Sequence, residues 1–124
     1  MTVYQITDFS LDIKIGQANP TLEILLEQQN ASTWAFVTAW NPKSVLLSQI
    51  ENETCHQALI KWVEQENYLY FNGKGIGSDK NWEPEISLFI LNIPKAKAIE
   101  IGKYFNQNAV VFGQKGDLPE LLIL

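Results

Sequence analysis

A chain of 124 residues with a formal net charge of -5 and 46% hydrophobic residues is sized for one folded domain spanning residues 1–124, and it is too apolar for disorder. All nine basic residues are lysine, which argues against duplex nucleic acid, because phosphate neutralisation needs a basic surface and bidentate readout favours arginine. The lone Cys55 excludes an intramolecular disulfide, no apolar run reaches the ~18 residues of a membrane span, and the N-terminal residues lack a signal-peptide pattern; a cytoplasmic protein without membrane partners is expected.

Residues 3–15 alternate in polarity and predict a strand with a break near Asp8 to Ser10. Asn19-Pro20 opens a helix carrying Leu22, Leu25 and Leu26, and Asn30-Ala31-Ser32 ends it. Thr33 to Trp40 is nearly all apolar, so this strand is expected to be buried on both faces. Ser48-Gln49-Ile50-Glu51 is a capping box for a helix reaching about Glu66, with Cys55, Leu59, Trp62 and Val63 as its apolar stripe. Tyr68 to Phe71 predicts a short strand, 72–84 a long loop, and Glu85 to Ile93 a central strand. Pro94 starts a third helix, in which Gly102 permits close approach to a sheet. Ala109 to Phe112 is a strand, and Leu118 to Leu124 is a last strand or a docked apolar tail. The order β-α-β-α-β-β-α-β-β points to an α+β or α/β fold of two to three layers: a mixed sheet of about five to six strands with three helices.

Two polar clusters border this apolar framework. Thr38 and Asn41 close the strand at Trp34 to Val37, at a strand end where open sheets often place ligands; the alternative is an Asx-type turn at Asn41-Pro42. Gln107 and Asn108 open the strand at Ala109, while Asn106 suits a left-handed helix cap. The two clusters meet at one rim only if their strands are antiparallel. Asn52 falls on the centre of the apolar helical stripe, so it points inward, either locking the 38–41 turn or contacting a ligand. Glu85 and Ser87 share a strand face, and Glu85 is the candidate general base because it borders the apolar core; an exposed carboxylate is the alternative.

Other motifs carry less. Gly73-Lys74-Gly75-Ile76-Gly77 lacks the spacing of a phosphate loop and precedes no helix, which leaves a mobile loop or a lid. His56 is the only histidine and no cysteine pair accompanies it, so neither a metal nor any other cofactor is expected.

Read together, Trp34-Ala35-Phe36-Val37-Thr38-Ala39-Trp40-Asn41-Pro42, Glu51-Asn52, Leu59, Trp82-Glu83-Pro84-Glu85-Ile86-Ser87 and Gln107-Asn108-Ala109-Val110-Val111 form an ordered set. It resembles the bacterial proteins grouped as domain of unknown function 3293, which also carry an aromatic near the start. The chain departs from that pattern at Asn106, commonly glycine, and at Ile86, commonly proline. The resemblance implies that Thr38, Asn41, Asn52, Glu85, Ser87, Gln107 and Asn108 belong to one polar signature. It implies no activity.

Three functions fit these residues. The first is a small cytoplasmic domain binding a small polar metabolite, neutral or anionic, or a nucleotide through Thr38, Asn41, Asn52, Ser87, Gln107 and Asn108. The second is an enzyme at the same site with Glu85 as base. The third is an interaction or regulatory module with structural amides, which meets a partner or a second copy of itself through an apolar patch around Trp40, Trp82 or the tail Leu121 to Leu124.

Overall fold

The computed structural model describes residues 1–124. Its elements are β1 (Val3–Ile6), β2 (Leu11–Ile13), α1 (Pro20–Gln28), β3 (Thr33–Thr38), α2 (Gln49–Gln65), β4 (Tyr70–Ile76), β5 (Glu85–Leu91), α3 (Lys95–Tyr104), β6 (Ala109–Gln114) and β7 (Glu120–Ile123). All seven strands form one sheet in the order β2-β1-β4-β5-β3-β6-β7. Every neighbouring pair is antiparallel.

This corrects the sequence-based expectation in three places. The sheet is antiparallel, not mixed, and has seven strands instead of five to six. The break at Asp8–Ser10 is a full reversal, since Tyr4 pairs with Ile13 and Ile6 with Leu11. Residues 72–76 are strand rather than loop: β4 continues through Gly73-Lys74-Gly75 and pairs on both sides. Glycine and lysine disfavour strands by propensity. Here tertiary context overrides it, because Gly73 lies against the Gln5 carbonyl and the Phe36 ring, and a Cβ would sit 2.8 Å from each.

Alternation along the strands builds two cores. Ala35, Val37, Leu88, Ile90, Val110 and Phe112 face α2 and α3, packing against Leu59, Val63, Ala98 and Ile101. Trp34, Phe36, Phe89, Leu91 and Val111 face the opposite way, with Ile6 and Ile13, and pack under Leu22, Leu25 and Leu26 of α1. The apolar run of β3 is therefore buried on both faces, as its composition predicts. Gly102 brings α3 close to the sheet: a Cβ there would fall 2.7 Å from Val110 Cγ1 and 2.5 Å from Leu124 Cδ1.

The helix ends follow from local chemistry. Ser48 and Glu51 make both bonds of the capping box, each 3.1 Å. All three helices stop on an asparagine in the left-handed region: Asn30 (φ 52°), Asn67 (φ 62°) and Asn106 (φ 55°). In each, the next residue's N–H reaches back to the carbonyl five positions earlier, as in Gln107 N–H to Gly102 O at 2.9 Å. Glycine takes this conformation with less strain than asparagine. Asn106→Gly is therefore expected to leave stability unchanged or raise it by a few tenths of a kcal/mol, whereas Asn106→Val should lower it by about 1–2 kcal/mol, both read from urea unfolding midpoints.

On α2 the buried stripe is Asn52, His56, Leu59 and Val63, while Cys55 and Trp62 are only half-buried. His56 thus replaces Cys55 on the stripe, and its Nδ1 is sealed without a hydrogen-bond partner. Burial pushes the imidazole pKa below its ordinary 6.5, against an opposing pull from Glu53. The folded state then binds fewer protons than the unfolded state as pH falls through 6.5. Stability contributed by neutral His56 is complete above that pH and drains away below it. Denaturant titrations at pH 8 and pH 5.5 should show this loss, and His56→Leu should show less of it.

Candidate functional site

The two faces of the sheet are not equally covered. α1 has nine residues; its Leu22, Leu25 and Leu26 pack in one core with Trp34, Leu91, Phe36 and Phe89, and its Glu23 accepts from Gly116 N–H, just past the end of β6 that pairs with Thr33. Further along the same face, Thr38 pairs with Ser87, and no residue of α1, α2 or α3 lines the cleft that opens there. The uncovered half forms a cleft of about 550 Å³. Phe36, Thr38, Ser87 and Val111 line it from the sheet, with Tyr4, Gly75, Trp82, Glu85, Gln107 and Asn108 around them.

The polar clusters meet because β3 and β6 are antiparallel. Gln107 Nε2 donates to the carbonyls of Trp40 and Phe105, 3.3 Å each. Lys43 N–H donates to Asn106 O at 2.8 Å, and Asn108 Nδ2 to Ser44 Oγ at 3.0 Å. The segment between the clusters is tightly turned: Asn41, Lys43 and Ser44 all have φ between 46° and 59°. Such conformations cost free energy and persist only where surrounding bonds hold them.

Those bonds come from Asn41 and Asn52, which lie behind the cleft instead of lining it. Asn52 Oδ1 accepts from Asn41 N–H at 2.7 Å, and Asn52 Nδ2 donates to Asn41 Oδ1 at 2.8 Å. The same Asn41 oxygen accepts from Leu47 N–H at 2.9 Å. One donor remains: Asn41 Nδ2 points to Glu85 Oε2 at 3.1 Å. The buried amide pair therefore fixes the turn and one oxygen of the carboxylate together.

Thr38 and Ser87 are in the cleft, but their hydroxyl protons are committed. Thr38 Oγ1 donates to Ile86 O at 2.7 Å and accepts from Trp40 N–H at 3.0 Å. Ser87, 1% exposed, donates to Glu85 O at 2.9 Å. Neither hydroxyl is held by a base, so neither is set up as a nucleophile.

Glu85 is half-buried, and its Oε2 takes a second bond from Trp82 Nε1 at 3.1 Å. Its Oε1 has no protein partner, and the Tyr4 hydroxyl and Gln107 Oε1 likewise have none. None of these three atoms is sealed from solvent. Burial pushes the Tyr4 phenol pKa up, and the Glu85 carboxylate adds to the rise, so the phenol stays a neutral donor through the physiological range.

Five of the seven polar residues singled out in the sequence thus line one cleft, and two brace it. Tyr4 and Trp82 complete the lining. Tyr4 sits in a run that reads as ordinary strand alternation, and Trp82 in a segment that reads as loop. The available signal for Tyr4 was an aromatic near the start of the family pattern. The available signal for Trp82 was its place in the run Trp82 to Ser87 of the ordered set, three residues before Glu85.

No helix is long and apolar enough to cross a membrane. A family model described as Protein of unknown function (DUF3293) matches residues 37–110, more than half of the chain. No curated protein matches the chain, and no solved structure does.

Proposed function

For a chain that belongs to the DUF3293 family, whose description supplies no reaction, we propose that the open half of the sheet face is a small-molecule binding site. The observation that carries this is the uneven cover of the face: a cleft of about 550 Å³ is left where the polar signature converges. That volume lies within the range of ligand pockets, and its mixture of apolar surface with a few placed polar groups is typical of them. The bracing supports it further. Two buried amides hold a strained turn and aim a carboxylate, a cost that a surface of no use would not need.

Among the ligand classes expected from sequence, a polar metabolite fits better than a nucleotide. No lysine and no histidine lines the cleft, and Glu85 is its only charged residue. A phosphate placed about 4 Å from that carboxylate would meet repulsion of about 4 kcal/mol at an effective dielectric of 20.

Catalysis with Glu85 as general base is the second reading, favoured by its unpartnered Oε1 beside the Tyr4 phenol. Committed Thr38 and Ser87 hydroxyls weigh toward binding. A thermal-shift screen of neutral, cationic and anionic metabolites tests the main reading. At least one should raise Tm and alter tryptophan emission, and in Trp82→Phe, which loses the bond to Glu85 Oε2, the emission change should disappear and the Tm change should shrink. Ligands that raise Tm without touching cleft residues would return the polar signature to a purely structural role.

A further inference from the structure

Resting on the reading of the cleft as a binding site, we propose that its ligand carries a protonated nitrogen, a primary amine or an amidine, which docks on Glu85 Oε1 beside the rings of Tyr4 and Trp82.

The valences of Glu85 lead to this class. A carboxylate offers about four acceptor positions on two oxygens. Asn41 Nδ2 and Trp82 Nε1 both donate to Oε2, which pins the group's orientation. Oε1 keeps its full capacity and is open to solvent. The protein thus spends a buried asparagine and a tryptophan on aiming this oxygen, yet gives it no cation of its own. No salt bridge in the structure includes Glu85.

The lining agrees with a cationic guest. Phe36, Tyr4 and Trp82 contribute aromatic surface, whose ring faces attract cations. Gln107 Oε1 is a second unpartnered acceptor for N–H donors, and the Tyr4 hydroxyl, which keeps its own proton, can accept one as well. An ammonium or amidinium presents several donors and no acceptor, so it matches three acceptor atoms. A carboxylate or phosphate guest would set acceptors against Glu85 Oε1 and Gln107 Oε1, with the Tyr4 hydroxyl as the one unpartnered donor among the three, and would meet the Glu85 charge. A neutral alcohol would leave the Glu85 charge unpaired in a partly desolvated site.

A matched series decides the matter: 2-phenylethylamine, 2-phenylethanol and phenylacetate share one apolar body and differ in the head group. Binding is read on the intact chain by 15N NMR, following the Trp82 Nε1–H and Asn41 Nδ2–H resonances. The amine should bind about tenfold or more tightly than the alcohol, as charge-assisted hydrogen bonds outweigh neutral ones, and phenylacetate should be the weakest. In Glu85→Gln, which can still accept from Asn41 and Trp82 and whose folding is checked by Tm, the amine should lose its advantage over the alcohol. If the alcohol or phenylacetate binds as tightly as the amine, or if Glu85→Gln leaves the preference intact, the amine assignment fails while the binding site stands. If none of the three moves the cleft resonances at millimolar concentration, the binding-site reading fails with it.

Discussion

Asn52→Leu is expected to lower the unfolding free energy by about 3 kcal/mol, a large share of the ~5–15 kcal/mol that stabilises a typical domain. The substitution keeps apolar volume on the α2 stripe, so the loss is not one of packing. It removes the acceptor of Asn41 N–H and the donor to Asn41 Oδ1, both in a site where Asn52 is 2% exposed and Asn41 4%. Leaving a buried donor unsatisfied costs roughly 1–3 kcal/mol, and the freed amide adds to that. The damage then spreads. Asn41 sits at φ 46° and starts a turn with two further positive-φ residues, and that turn is held chiefly by bonds to its amide. With the turn released, Asn41 Nδ2 no longer fixes Glu85. Asn52→Asp separates the effects, because it keeps the acceptor for Asn41 N–H but sets a carboxylate against Asn41 Oδ1. Urea denaturation gives the free energies, and the Asn41→Ala/Asn52→Ala cycle should be strongly non-additive, since each residue's role depends on the other. A cost below about 1 kcal/mol for Asn52→Leu would mean that the amide pair does not brace the turn in solution.

That bracing pair was legible in the sequence because helix geometry is local. A capping box sets the start of α2, and a rotation of ~100° per residue then puts Asn52 among Leu59 and Val63. The same holds for Asn106, whose cap role follows from the tolerance of asparagine for positive φ. The sheet was less legible where strands contradict propensity. Gly73-Lys74-Gly75 reads as loop, and what makes it strand is the pair of neighbours it lies between, β1 and β5, each distant in sequence. Reading it as loop lengthened the expected lid and hid one lining position, Gly75. The direction of β6 relative to β3 was an open fork, since nothing in Gln107-Asn108 reveals which way the partner runs. Tyr4 entered the site for the same reason: β1 joins β4, and β4 carries it beside Glu85 through Gly75. The cleft itself needs two facts at once, that α1 is short and that it lies over the Trp34 end of the face. The first is visible in residues 20–28; the second is a property of packing alone.

Gly75→Phe should abolish binding of a cleft ligand, by at least about 100-fold or ~2.7 kcal/mol, while stability is maintained or improved. Gly75 pairs with Tyr4 on one side and Glu85 on the other, and it lines the cleft. A Cβ built there meets only Tyr4 Cδ1, at 4.0 Å. An added ring therefore enters the empty space without displacing protein, and an aromatic residue is a better strand former than glycine. Gly73, two positions earlier on the same face, provides the control. There a Cβ would lie 2.8 Å from the Gln5 backbone and from Phe36, so even Gly73→Ala should cost about 1–3 kcal/mol through overpacking. The two glycines thus look alike in sequence but differ in what they make room for: one admits a neighbouring strand and ring, the other leaves a hole. Titration of each variant with 2-phenylethylamine, alongside urea unfolding, reads both quantities. Gly75→Phe that binds the amine as the parent does would show that the hole is not where ligands sit. Gly75→Phe as unstable as Gly73→Ala would show that the hole is filled by the protein itself in solution. Loss of binding on an unharmed fold is the result that a vacant, braced and singly charged cleft requires.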